Sequence, residues 1–220
     1  MFSKFTNTIF AVAATLVTAS TLPQSEVGSA SITPHDQYSS SIGVLGCKIN
    51  TNRVAYWPGS VDCNNICVKV SYESRSIYLL KIDSSSGAYD ISYNAWNYLG
   101  FAKPATDSPQ EGGGIAMNYE FVHASMCTDI LDNGKLPLTA ANSMNYLEPC
   151  LSEPNSWVAQ NYELFNINDP ICKHGVDEKC SLNLAISNQA ECPSGLGAVA
   201  ELNLTVQNIQ YRTGKIVPAQ

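Results

Sequence analysis

Eight cysteines carry the most readable chemistry in this 220-residue chain. They fall into two sets of four, Cys47, Cys63, Cys67 and Cys127, then Cys150, Cys172, Cys180 and Cys192. Cysteine thiolates either close disulfides or hold zinc, and the spacing separates the two uses. Only Cys63 and Cys67 lie near each other, the rest are scattered singly, and no histidine stands beside them. Zinc sites need clustered ligands, so no metal is expected and the set reads as a disulfide framework. Two self-contained groups are expected from the even split, with three pairings open in each. The three histidines, His35, His123 and His174, lie far apart and in no nucleophile motif. No Gly-x-Ser-x-Gly elbow, His-Glu-x-x-His pair or phosphate-binding loop occurs, and no cofactor is expected. The glycines 112-GGG-114 precede a strand-like run rather than a helix, which suits a flexible loop.

Two aspartates stand at positions with local structural uses. Asp83 precedes the run Ser84-Ser85-Ser86-Gly87, a turn context. Asp90 opens 90-DISYNAWNYLG-100, where Ile91, Ala95 and Leu99 share a helical face. There Asp90 suits the positive end of the helix dipole, Ser92 is placed to cap the first amides, and Gly100 can close the last turn.

The N-terminus sets the compartment. Lys4, the apolar run 9-IFAVAATLV-17 and the small residues Thr18-Ala19-Ser20 describe a secretory signal peptide, residues 1–19. Nine apolar residues are too few to span a bilayer. Its removal takes Lys4 away, leaving eleven basic against nineteen acidic residues and moving the net charge from −7 to −8. With no Lys/Arg cluster, nucleic acid and anionic membrane are not expected as partners. Asn203-Leu204-Thr205 is a glycosylation sequon.

These residues are positioned by β-rich elements. Residues 20–43, rich in Ser, Thr and Pro, read as a linker or loosely tied arm. Order is expected from Val44. The segment 52-NRVAYW-57 is strand-like, and 66-ICVKVSY-72 with 76-SIYLLKI-82 reads as a hairpin across 73-ESR-75. The helix around Trp96 follows, then the loop 103-KPATDSPQEGGG-114, then the alternating strand 115-IAMNYEFVHASMC-127. Residues 130–220 read as a second β-rich region, with strands expected in 157–167, 181–187 and 198–212 and a weaker helical pattern over 138–148.

In this order, Cys63-x-x-x-Cys67-Val68-Lys69-Val70, the strand ending at Asp83, the Asp90-Ile91-Ser92-x-x-Ala95-Trp96-x-x-Leu99 helix, and Asn118-Tyr119-Glu120-Phe121-Val122 ending at Cys127 resemble the barwin-like double-psi β-barrel. That superfamily includes barwin-type defence proteins, expansin N-terminal domains, rare lipoprotein A, kiwellins and barwin-like endoglucanases. The resemblance covers residues 44–129. It implies a mainly β fold, a six-stranded double-psi β-barrel with a short helix, plus a disulfide-bonded β-rich C-terminal region.

Endoglucanases of this type invert with two carboxyl groups. By resemblance Asp90 stands at the acid position, whereas the base position, in a Tyr-Trp-Asp context, here reads Tyr56-Trp57-Pro58. Asp83 matches the aspartate of the Asp-Arg-Gly-Pro segment of rare lipoprotein A, but serines follow it. The resemblance therefore implies a non-catalytic protein binding wall polysaccharide or an extracellular host protein, with an effector or elicitor role. Tyr56, Trp57, Tyr89 and Tyr93, with Asp90, would line its ligand groove. Two alternatives stand: a glycan-active enzyme using Asp90 or Asp83 as general acid, and a kiwellin-like inhibitor. The signal, sequon and general character resemble secreted proteins of filamentous fungi. Oligomeric state is not legible.

Overall fold

The computed structural model describes residues 26–220; the signal-peptide reading of 1–19 lies outside them. Six strands close a barrel: β1 (Val27–His35), β2 (Val54–Pro58), β3 (Cys67–Tyr72), β4 (Arg75–Ser85), β5 (Tyr89–Ser92) and β6 (Ile115–Val122), in the order β1-β5-β2-β4-β3-β6. The pairs β1–β5 and β2–β4 are parallel and the others antiparallel. The fold is mainly β, as expected. The helix α1 (Tyr93–Phe101) lies against the barrel, with Trp96 and Leu99 fully buried and the Trp96 indole donating to the Ile32 carbonyl at 3.1 Å.

The alternation in β6 reports which way its side chains point. Met117, Tyr119 and Phe121 enter the barrel, while Ala116 and Asn118 face out. β6 pairs with β3 on one side and with β1 on the other. The barrel thus begins at Val27, and the arm expected over 20–43 is corrected to include its first strand. β1 escaped detection because two of its inward residues, Gly28 and Ala30, are small and only Ile32 is a large buried apolar group: a Cβ on Gly28 would lie 2.7 Å from the Tyr119 ring. A large aromatic on one strand required a glycine on its neighbour, and that removed the hydrophobic signal on which strand detection depends.

Residues 130–220 contribute β7 (Leu136–Thr139), α2 (Met144–Leu151), α3 (Trp157–Gln160), β8 (Tyr162–Ile167), β9 (Gly175–Cys180), β10 (Gln207–Ile209) and β11 (Ile216–Pro218). β7, β8 and β9 form a three-stranded sheet and β10 and β11 a hairpin. The expected strand over 157–167 starts as a helical turn, 181–187 forms turns, and only 207–209 of 198–212 is strand. The helical pattern of 138–148 appears as α2, displaced toward its C-terminal end.

Two hydrophobic cores result. Ala55, Trp57, Val68, Val70, Leu79, Ile91, Met117 and the helix residues form one inside and beneath the barrel. The other joins the outward residues Val54, Tyr56, Leu80 and Ile82 to Leu138, Leu147, Val158, Leu164 and Ile167 of the C-terminal region. That shared core explains the disulfides. Cys67–Cys127 and Cys180–Cys192 stay within their sets, but Cys47 pairs with Cys172 and Cys63 with Cys150. The expectation of two self-contained groups is corrected: packing of the β7–β9 sheet and α2 on the barrel's outer face brings Cys172 and Cys150 to within 6.2 and 5.4 Å (Cα–Cα) of their partners. Spacing along the chain does not register that contact.

Candidate functional site

Strand register builds one row of polar side chains across the barrel's outer face. Thr33 of β1 pairs with Asp90 of β5, Asp90 with Tyr56 of β2, and Tyr56 with Asp83 of β4. Directly paired residues share a face, so Thr33, Asp90, Tyr56 and Asp83 lie side by side. A register shift between Ala55 and Tyr56 turns Asp83 rather than Ile82 into the partner position. At a strand spacing of ~4.8 Å, the two aspartate Cα atoms flank Tyr56 about 9.5 Å apart.

Each carboxylate is engaged. Asp90 accepts from the Thr33 hydroxyl. Asp83 accepts from Ser39 Oγ at 2.8 Å and from the Ser84 amide at 2.8 Å. Both Asp83 oxygens are thus acceptors, and these bonds secure the end of β4. Asp90 lies in β5, two residues before the N-cap Ser92 of α1, so it is not the helix cap. Ser92 holds the N-cap position, but its hydroxyl makes no capping bond and is buried without a protein partner. The left-handed residue that ends α1 is Ala102, with Gly100 inside the helix.

Tyr56 is 5% exposed and donates its hydroxyl to the Gln37 carbonyl at 3.1 Å. Burial raises its phenol, with the Asp83 and Asp90 charges adding to the shift and a backbone hydrogen bond opposing it. Tyr38 donates to the Val44 carbonyl at 2.9 Å and is raised by burial first, then by Tyr56 and Asp83. The His35 ring lies over Tyr56 with centroids 4.3 Å apart. His35, Tyr56, Ser92 and Asn208 border a cavity of about 20 Å³, room for a single water.

The remaining ligand candidates separate from this row. Trp57 and Tyr89 alternate with Tyr56 and Asp90, so they point into the barrel, where Trp57 meets Tyr89 at 5.0 Å and Tyr119 at 5.2 Å. Tyr93 is buried at the start of α1, donates to the Gln110 carbonyl at 2.7 Å and packs edge-on against Tyr211. Pro58 ends β2, and its carbonyl accepts from Lys81 Nζ at 3.1 Å. Of the residues expected in the ligand groove, register brings Tyr56 and Asp90 together, and it adds Asp83, which was not expected in the groove. The sequence reading missed Thr33, Ser39 and His35, because β1 and the turn after it were taken for a loose arm.

The C-terminal hairpin borders the row. Asn208 accepts from the Tyr38 amide at 3.0 Å and donates to Gln37 Oε1 at 3.0 Å, and the Tyr211 amide donates to Asp36 Oδ2 at 2.9 Å. The Tyr211 hydroxyl pins the glycine loop, accepting from the Gly112 amide at 2.7 Å and donating to its carbonyl at 2.6 Å. Asn97 holds the same loop through Lys103, Ser108 and Gln110, so the flexible role expected for it is corrected. Asn203 is exposed, as a glycan acceptor must be.

Among the described residues no cluster of three or more His, Cys, Asp or Glu could hold a metal ion, and no helix is long and apolar enough to cross a membrane. Residues 32–130 match the cerato-platanin family model. Cerato-platanins share the double-psi, expansin-like barrel, in agreement with the general resemblance read from the sequence. They are secreted, cell-wall-associated proteins. Neither a curated protein nor a solved structure matches the chain. β10, β11 and the β7–β9 sheet all lie outside the matched span, so one border of the polar row comes from sequence that the family model does not describe.

Proposed function

We propose, taking the cerato-platanin-type barrel as premise, that this is a secreted, non-catalytic protein that binds a cell-wall polysaccharide through Thr33, Asp90 and Asp83, the half-buried polar groups of the row around the buried Tyr56. The observation that carries the reading is the state of the two carboxylates. They flank an aromatic side chain on one face, they are held as acceptors, and proline stands where a glycan-cleaving relative would place its base. Sugar hydroxyls donate well to such carboxylates, which orients a chain without activating water. The family's binding of chitin-like oligosaccharides supports this class of ligand. A role as an effector or elicitor follows if the wall polymer, or a host protein meeting the same face, is contacted during colonisation. In this reading Asn203 carries a glycan and residues 1–19 are removed on export; treatment with an endoglycosidase and N-terminal sequencing of the secreted form test both.

A second reading rests on the two carboxylates of the row. Asp83 and Asp90 stand on one face, on the two strands that flank β2, and a pair of carboxyl groups is what an inverting glycosidase uses. One experiment separates the two. Purified protein is incubated with cellulose, chitin and β-glucan, and the pelleted fraction and the released sugar are both measured. Binding that falls about tenfold in Asp83→Asn with Asp90→Asn, with no released product, supports binding. Reducing-end product that disappears in Asp90→Asn or Asp83→Asn overturns it in favour of the enzyme.

A further inference from the structure

A cavity separate from the polar row opens at one mouth of the barrel. It measures about 370 Å³, within the range of about 300–1,000 Å³ typical of small-ligand pockets. Trp57, Tyr89 and Phe121 form its aromatic side, and Glu26, Ser60 and Asp62 stand at its exposed rim. Lys81 lies at its base, 5% exposed.

A lysine so buried requires an explanation, because a desolvated ammonium is costly unless its protons are taken. Lys81 pairs with Ala55 across β2 and β4, on the inward face beside Leu79. Its Nζ donates to the carbonyls of Pro58 at 3.1 Å and Ser60 at 2.9 Å. An ammonium has three protons, so one remains for the cavity. Glu26 and Asp62 act on it at a distance, but neither comes within salt-bridge range. Burial, partly offset by those two carboxylates, holds Lys81 below the ordinary lysine value.

The lining thus offers one cationic donor at depth, two carboxylate acceptors at the rim, and aromatic carbon between them. An anion meets two carboxylates on entry, in a chain whose net charge is −7, and a cation meets the ammonium at the base. A neutral ring bearing several hydroxyls satisfies both kinds of group, with its C–H face against the aromatic side. We propose that the barrel mouth is a binding pocket for one neutral sugar ring, free or at the end of a glycan, held by Lys81 and Asp62. The pocket is separate from the polar row: adjacent residues of β2 and β5 point to opposite faces, Tyr56 and Asp90 to the row, Trp57 and Tyr89 to the mouth.

The test is an amide NMR titration of the full secreted protein with glucose, galactose, N-acetylglucosamine, their methyl glycosides and galacturonate. Millimolar binding of at least one neutral sugar is expected, with shifts at Gly59, Ser60, Asn65 and Tyr89. Lys81→Met should weaken it at least about tenfold by removing a charged donor. Should Lys81→Met fail to give a folded spectrum, Asp62→Asn at the exposed rim supplies the second arm. It should weaken neutral-sugar binding several-fold while leaving galacturonate no weaker. A free sugar that binds as well as its methyl glycoside marks a free ring as sufficient. Glycoside-only binding marks a glycan end, and either outcome supports the pocket. No shift at the mouth with any neutral sugar, shifts confined to the Asp83 and Asp90 segments, or tighter binding of galacturonate than galactose would each overturn the proposal. Polymer binding lost in the Asp83 and Asp90 variants but retained in Lys81→Met tells failure of this pocket from failure of the row.

Discussion

Residues 27–122 and residues 131–219 bury their apolar surface by different means. The barrel closes on itself, so its strands pair on both sides and its inward residues need no outside help. The C-terminal region has one three-stranded sheet, one short hairpin and long irregular segments, including 181–206. Its apolar side chains pack on the barrel's outer face, in one core with Val54, Leu80 and Ile82. A closed sheet stabilises itself through its ladder, whereas an open, irregular region depends on what it is fastened to. The fasteners here are Cys47–Cys172 and Cys63–Cys150, which cross between the regions, while Cys67–Cys127 and Cys180–Cys192 do not.

Removing a crossing disulfide is therefore the sharpest way to test the contrast. Cys47–Cys172 and Cys63–Cys150 join residues 125 and 87 apart, against 12 for Cys180–Cys192. Loop-closure entropy assigns about 4–5 kcal/mol to each long bridge and about 3 kcal/mol to the short one. Denaturant unfolding of Cys63→Ser/Cys150→Ser should show a loss of that order. Hydrogen exchange should rise across β7, β8 and β9 well before it rises in β3 and β6. Equal loosening of β3 and β6 would mean that the barrel depends on the C-terminal region as much as the reverse.

A smaller loss should follow from one glycine inside the C-terminal sheet. Gly175 opens β9 at φ +134°, and a Cβ there would lie 2.3 Å from the Asn166 carbonyl oxygen and 2.7 Å from the Ile167 Cα. Both obstacles are backbone of β8, so no side chain can swing aside. Gly175→Ala should cost about 1–3 kcal/mol, seen as a lower denaturant midpoint, with the β8–β9 amides exchanging faster and the barrel amides unchanged.

The same contrast governs how much could be read from the chain. β2, β3, β4 and β6 carry large alternating apolar residues and α1 carries a helical stripe, so periodicity locates them. β1 does not, because Gly28 and Ala30 are small where Tyr119 fills the space. With β1 went Thr33 and His35, half of the polar row's surroundings. In the C-terminal region the obstacle was physical rather than statistical. Its short strands are shaped by what they pack on, and a pairing such as Cys47–Cys172 expresses tertiary contact that no local pattern encodes. Asp83 and Asp90 were legible because turn and helix signals surround them. By resemblance Tyr56 and Asp90 were expected in one ligand groove without Asp83, and the row itself depends on strand register.

Alkaline titration sharpens the comparison with a smaller effect. Burial raises the phenols of Tyr38, Tyr56, Tyr93, Tyr119 and Tyr146, five of the eleven tyrosines. A group whose value is raised on folding stabilises the fold below its unfolded value and loses that contribution as pH rises through the folded value. The stability from these phenols should therefore be intact below about pH 10 and decline above it. Phenolate absorbance should show an early class and a late class. The late class should collapse into the early one on unfolding. Tyr146 belongs to α2, and its hydroxyl donates to the Asp62 carbonyl at 3.1 Å, across the boundary between the regions. If the C-terminal region opens first, Tyr146→Phe should remove the earliest member of the late class.

The smallest effect concerns a carboxylate that organises a loop rather than a core. Glu178 of β9 accepts from the Ser194 amide at 2.8 Å, from the Ser194 hydroxyl at 2.9 Å and from Asn166 Nδ2 at 2.8 Å. The Ser194 amide bond is the main cause that lowers this carboxyl below the usual glutamate value; desolvation opposes it, and the Asn166 and Ser194 side chains add smaller lowering contributions. A carboxylate lowered on folding contributes above its unfolded value and loses that contribution as pH falls through the folded one. Below about pH 4.3 the 192–197 loop should therefore loosen, with faster exchange at the Ser194 and Gly197 amides, while β3 and β6 keep their protection. Glu178→Gln should abolish the pH step and leave the loop's exchange constant at an intermediate rate. A loop that keeps the same acid step in Glu178→Gln would place the controlling proton elsewhere and remove this carboxylate from the list of what holds the C-terminal region together.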